Sequence, residues 1–243
     1  MSYQDYKRFW DYYVEERDYL REVYPESDHG VAGLGTVTIV EARTESQLFQ
    51  DRPIDILVFN GCSQVPCELI PRGIKMLVLV DCDPGAWSEL PKSLICVDVI
   101  LSAVEAYSTL RLDVSDLPRL QAVWIWDCSE AVRIECLLPE GLDLVSIYGA
   151  LALTIVPPAR RGPKQVKLDR VSRMSPWQMD AHLESLEVDG YEGKELEITL
   201  ACSERLQTLK LSKPVLVADR EVSTLEEYQA VCLRMRRKKA AMR

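Results

Sequence analysis

Cysteine and histidine are the side chains here best suited to chemistry, and their spacing points away from it. Eight cysteines stand at 62, 67, 82, 96, 128, 136, 202 and 232 without a Cys-x-x-Cys pair, and the only histidines are His29 and His182. Structural zinc sites draw four Cys or His ligands from short paired spacings, so neither a metal site nor a disulfide framework is indicated. Catalysis by a Ser or Cys nucleophile needs a base beside it. His29 falls in a glycine-rich loop and His182 among variable residues late in the chain, and neither belongs to a motif. The Gly-x-Ser-x-Gly, His-Glu-x-x-His, P-loop and dinucleotide fingerprints are missing from the sequence. Acidic pairs such as Glu187 and Asp189 are accounted for by exposed strand positions. No catalytic residue, cofactor or metal ligand is expected, and the chain reads as a binder rather than an enzyme.

The elements that would carry a binding site repeat. Leu57-Val-Phe59-Asn-Gly-Cys62 returns twenty residues later as Leu77-Val-Leu79-Val-Asp81-Cys82, with Val37-Thr-Ile39 before it and Val97-Asp-Val99 after it at the same interval. Further copies begin at Val123, Val145, Val166, Leu186 and Leu209, in steps of 26, 22, 21, 20 and 23 residues. A second phrase leads into several copies: Ile70-Pro71-Arg-Gly-Ile74, Leu90-Pro91-Lys-Ser-Leu94 and Leu138-Pro139-Glu-Gly-Leu142, with a shortened form at Leu117-Pro118-Arg-Leu120. Proline has no N–H and a fixed φ, so it suits the turn before a strand rather than the strand's middle. Cys62, Cys82 and Cys128 share one place in the unit, where a small side chain turns inward, and are expected as buried thiols.

The composite phrase L-P-x-x-L-x-x-L-x-L-x-x-C, carried over roughly residues 37–216, resembles the leucine-rich repeat family. In unit length it is most similar to the short Leu-Pro repeats of bacterial secreted effectors; cysteine in place of asparagine also occurs in plant resistance-type repeats. The resemblance implies an α/β repeat solenoid of parallel strands, one coil stacked on the next. Such effectors often add a ubiquitin-ligase domain, but fewer than thirty residues follow Leu216, so no catalytic domain is expected there.

Three regions follow. Residues 1–35 are expected to form a helical cap and a loop: Tyr6, Phe9, Trp10, Tyr13, Leu20 and Tyr24 recur near helical spacing, and 26–35 hold three glycines. Residues 36–218 are the solenoid. Alternation at Leu110-Arg-Leu112, Val132-Arg-Ile134, Leu151-Ala-Leu153 and Leu196-Glu-Ile198 predicts a second sheet on its back. Residues 219–243 read as a closing helix with a basic tail, started by a capping box at Ser223 and Glu226.

The formal charge of −9 hides an asymmetry, because the last ten residues hold six positive side chains and no acid, leaving the rest at −15. A body so acidic is a poor general partner for nucleic acid or anionic membrane. The tail at 234–243 is read either as a solvated end or as a grip on an acidic surface or nucleic acid. No apolar run approaches the roughly 20 residues that span a bilayer, and no cleaved signal is apparent, so a cytoplasmic place, or delivery without such a signal, is expected.

Strand side chains alternate, so if Leu77 and Leu79 point inward, Val78 and Val80 point outward. Applied to each copy, this places Val78, Val80, Ile100, Trp124, Trp126 and Tyr148 on one outer face, rimmed by Asp169, Glu187 and Asp189. Such a face is expected to bind a protein partner with an apolar anchor and basic groups around it. Two alternatives stand beside this reading: the face is covered from within the chain, for example by the amino-terminal helix, or it pairs with a second copy in an assembly.

Overall fold

The structure, a computed structural model, describes residues 28–31, 35–41, 56–60, 70–82, 90–101, 109–127, 130–193 and 196–241. The expected cap over residues 2–24 lies outside them, as do Cys62, Cys67 and Cys128. In chain order the strands are β1 (Asp28–Val31), β2 (Gly35–Glu41), β3 (Ile56–Asn60), β4 (Met76–Val80), β5 (Cys96–Leu101), β6 (Thr109–Asp113), β7 (Ala122–Asp127), β8 (Arg133–Leu137) and β9 (Leu144–Ala150). Then come β10 (Ala152–Val156), β11 (Gln165–Val171), β12 (Trp177–Met179), β13 (Ser185–Asp189), β14 (Ile198–Leu200), β15 (Thr208–Leu211), β16 (Val215–Val217), β17 (Arg220–Val222) and helix α1 (Leu225–Ala241).

These form a parallel β-solenoid. Its front is one ten-stranded sheet in the order β1-β2-β3-β4-β5-β7-β9-β11-β13-β15, parallel except for β1. The return segments build two back sheets, β10-β8-β6 and β12-β14-β16-β17. Register follows the repeat: Leu57, Leu77, Val97, Val123, Val145, Val166, Leu186 and Leu209 stand opposite one another from β3 to β15. All eight are buried and join the back-sheet residues Leu110, Leu112, Ile134, Leu153 and Ile198 in one core. Each such side chain contributes roughly 1.5–3 kcal/mol by leaving water, so every coil adds to the core shared with its neighbours.

The Leu-Pro phrase makes the turn that feeds β4, β5, β7 and β9. The carbonyls of Pro71 and Pro91 accept the N–H groups of Ile74 and Leu94 at 3.2 and 3.1 Å, and both flanking apolar residues of each phrase, Ile70/Ile74 and Leu90/Leu94, enter the core. Proline thus occupies a position whose N–H the ladder does not need.

Four local expectations are corrected. Residues 26–35 are not all loop, since β1 pairs with β2; hydrogen bonds from the neighbouring strand outweigh the low strand propensity of a glycine-rich stretch. β2 is shifted by one, with Thr38 rather than Val37 opposite Leu57. Val37-Thr-Ile-Val40 has apolar residues at both parities, so alternation alone does not set its register. Leu151 is exposed, because β10 starts after it and only Leu153 and Ile155 turn inward. The helix cap also moves by one. The Thr224 hydroxyl accepts the Glu227 N–H at 3.2 Å, while the Glu227 carboxylate accepts the Ser223 and Thr224 N–H groups at 2.7 and 3.3 Å. This reciprocal pairing is a capping box at Thr224 and Glu227, and it turns Tyr228 and Cys232 onto the core.

Candidate functional site

Three rows of outward positions cross the front sheet, and each passes from buried apolar to open polar residues somewhere between β5 and β11. The first runs Ile56, Met76, Cys96, Ala122 and Leu144, every one buried, then Gln165, Ser185 and Thr208. The second runs Val58, Val78, Asp98 and Trp124, again buried, then Ser146, Lys167, Glu187 and Lys210. In the third, Val80 and Ile100 are buried, Trp126, Tyr148 and Asp169 are half-buried, and Asp189 is exposed.

The expected open apolar face is therefore corrected at four of its residues. Val78, Val80, Ile100 and Trp124 are only 0, 8, 8 and 6 % exposed. With Ile56, Val58, Met76, Cys96, Ala122 and Leu144 they form a second buried apolar cluster, separate from the interior one, against which Ile95 and Trp126 pack. The physical reason is general: a parallel sheet apolar on both faces is buried on both. Burial pushes the Cys96 thiol up to about 12, helped by the Asp98 carboxylate two residues along the strand.

The open half begins at a shelf of stacked side chains. Trp126 and Tyr148 lie with ring centroids 5.5 Å apart and planes 29° apart, and the Arg170 guanidinium sits 5.2 Å from the Tyr148 centroid. Glu130, reached from another coil, holds that guanidinium at 3.1 Å. Arg170 turns back over the tyrosine because its φ is +51°, in the left-handed region, at the end of its strand. Beyond the shelf, Glu187 stands between Lys167 and Lys210 at 3.9 and 3.6 Å, and Asp169 and Asp189 complete the rim. These contacts are solvent-facing, so each ion pair is worth about 0–1 kcal/mol and leaves its charges available to a partner.

Of the nine residues expected at the site, the structure thus brings Trp126, Tyr148, Asp169, Glu187 and Asp189 together on the open half. Arg170 and Glu130 join them without a sequence signal of their own. No local pattern announces them, because Glu130 lies outside the strands and Arg170 reaches Tyr148 from a left-handed position within β11.

His182 does different work. Its Nδ1 lies 3.3 Å from Asp180 Oδ2, and the Asp180 carboxylate accepts the N–H groups of Gly162 and His182 at 2.7 and 2.8 Å. Burial alone would raise that carboxyl, but these donors outweigh it and hold it below the ordinary carboxylate range. The pair pins the 157–163 turn beside a groove of about 370 Å³. Among the described residues no group of three His, Cys, Asp or Glu is placed to hold a metal ion, and no helix is long and apolar enough to cross a membrane. No family model, no curated protein and no solved structure matches the chain.

Proposed function

We propose that this chain is a leucine-rich-repeat-like, non-enzymatic binding module that takes a protein partner on the open half of its front sheet. The observation that carries this reading is the change of all three outer rows from buried apolar to open polar residues between β5 and β11, which leaves Trp126 and Tyr148 as aromatic surface at the border of a charged field. Each ring can bury on the order of 150–250 Å² when fully covered. One side of a standard interface is roughly 800 Å², so the partner must also cover the rows of β11, β13 and β15. Its matching chemistry is an apolar or aromatic anchor for the shelf, flanked by basic groups for Asp169, Glu187 and Asp189. The residue types at the border, aromatic and arginine, are those that dominate binding energy at such surfaces.

The test is affinity capture from a lysate of the source cells with wild type, Tyr148→Ser, the double charge reversal Asp169→Lys/Asp189→Lys, and Arg133→Glu on the back sheet as control. Circular dichroism first establishes that each variant is folded. A partner lost with both front-face variants and kept by the control supports the reading, and one kept by all four overturns it. If the captured protein is this chain itself, the face belongs to self-association.

A further inference from the structure

Helix α1 meets the last coil through a short line of side chains. Tyr228 and Cys232, one helical turn apart, are both buried, with Leu225 and Val231 beside them. The Tyr228 hydroxyl donates to the Ala201 carbonyl at 2.8 Å and accepts the Ser203 N–H at 2.7 Å. Those two bonds bracket Cys202, on the turn that leaves β14, and hold it against the helix. Cys202 packs against the core cluster that contains Cys232, close enough for the two thiols to affect one another's protonation. The two differ in access, since Cys202 is half-buried and Cys232 is sealed.

We propose that Cys202 and Cys232 are a disulfide-forming pair that locks α1 onto the last coil when the folded chain meets a low-molecular-weight disulfide. Cys202, the sulfur with solvent access, loses its proton and attacks one sulfur of the small disulfide RSSR. This forms a mixed disulfide and releases one RSH after protonation. Cys232 then gives up its proton and attacks the Cys202 sulfur, forming the protein disulfide and releasing the second RSH. The two cysteines lose two protons and two electrons, and RSSR is reduced to two RSH. The bond joins residues thirty apart in the chain, one on a turn and one on the helix, so it restricts the unfolded chain and opposes detachment of the helix.

The surroundings set the pace. Burial, then contact with Cys232, pushes Cys202 up to about 11, with Arg236 pulling the other way. Arg236 is itself held by Glu204, and the Tyr228 hydroxyl is a neutral neighbour below its own raised range. Thiolate is therefore scarce at neutral pH, and the pair is a slow lock rather than a fast peroxide sensor.

The experiment uses the full chain, reduced and folded, incubated with oxidised glutathione at pH 7.5 and pH 9. Remaining thiols are then alkylated under denaturing conditions and the peptides mapped by mass spectrometry. The expected product links the Cys202 peptide to the Cys232 peptide, forms faster at pH 9, raises the thermal midpoint by several degrees, and reverts with reductant. Cys202→Ser and Cys232→Ala, each shown folded by circular dichroism, lose both the link and the shift. Cys202 recovered as a glutathione adduct while Cys232 alkylates as a thiol overturns the proposal. So does either cysteine linked elsewhere, or a link that forms only in urea-unfolded protein.

Discussion

A Cβ on Gly149 would stand 2.0 Å from the carbonyl oxygen of Asp127, so at this point two successive coils touch backbone to backbone. The φ of Gly149 is +70°, which a side chain would strain in any case. Gly149→Ala should therefore cost about 2–4 kcal/mol, combining left-handed strain with displacement of a main-chain neighbour. Gly141 separates the two effects, because its φ is +74° but a Cβ there meets nothing within 4 Å. Gly141→Ala should cost only the conformational part, about 1–2 kcal/mol. Urea denaturation of both variants checks the difference; equal losses would mean that the Asp127 contact is not tight.

Much of this architecture can be read directly from residues. Leu57, Leu77 and Val97 announce the front-sheet register because inward positions recur with period two inside a strand and about twenty along the chain. Alternation says which side chains leave the sheet, but not what lies over them, which is why Val78 and Trp124 read as open surface and are buried. The Trp126–Tyr148 stack is implied by register, whereas Arg170 reaches Tyr148 from a left-handed backbone position within β11 that its side chain does not favour. Cys202 and Cys232 meet because a helix folds back on a turn, and no spacing rule encodes that contact.

Alkaline pH should weaken the fold through its buried thiols. Burial pushes Cys136 up to about 12, with Asp113 adding to it, and Cys96 likewise to about 12. An unfolded thiol releases its proton near about 8.5, so above that the folded state holds protons the unfolded state has lost. The stability these groups contribute is complete below about pH 8.5 and declines as pH rises toward 12, by up to about 1.4 kcal/mol per pH unit for each thiol. Urea midpoints under reducing conditions at pH 7.5, 9 and 10.5 should fall progressively, and Cys136→Ala should flatten that slope. A slope unchanged by the substitution would assign the alkaline loss to other groups.

The hairpin that closes the second back sheet contains a local misfit. Val217 pairs with Arg220, and the connecting residues Ala218 and Asp219 have φ of 47° and 61°. Two positive φ values make the mirror-image turn that matches strand twist, for which Asn and Gly are preferred and Ala is strained. Ala218→Asn should raise stability by about 0.5–1 kcal/mol, read as a higher urea midpoint with an unchanged slope. A lower midpoint would mean that Ala218 makes a contact worth more than its strain.

The division of the front sheet predicts unequal costs for two aromatic residues on neighbouring strands. Trp124 is 6 % exposed inside the covered cluster, and removing so large a buried ring costs roughly 3–5 kcal/mol. Tyr148 is half-buried, with its stacking on Trp126 and its Arg170 contact as the main interactions at stake. The stacking is worth about 0.5–1.5 kcal/mol, and the exposed Arg170 contact adds little to it. Trp124→Ala should therefore lower the urea midpoint severely, while Tyr148→Ala should leave a folded protein with a modest loss. Similar small losses for both would mean that water reaches the Trp124 face, and the binding surface would then extend back to Val78, Val80 and Ile100. A large loss at Trp124 alone confines it to the half that begins at Trp126.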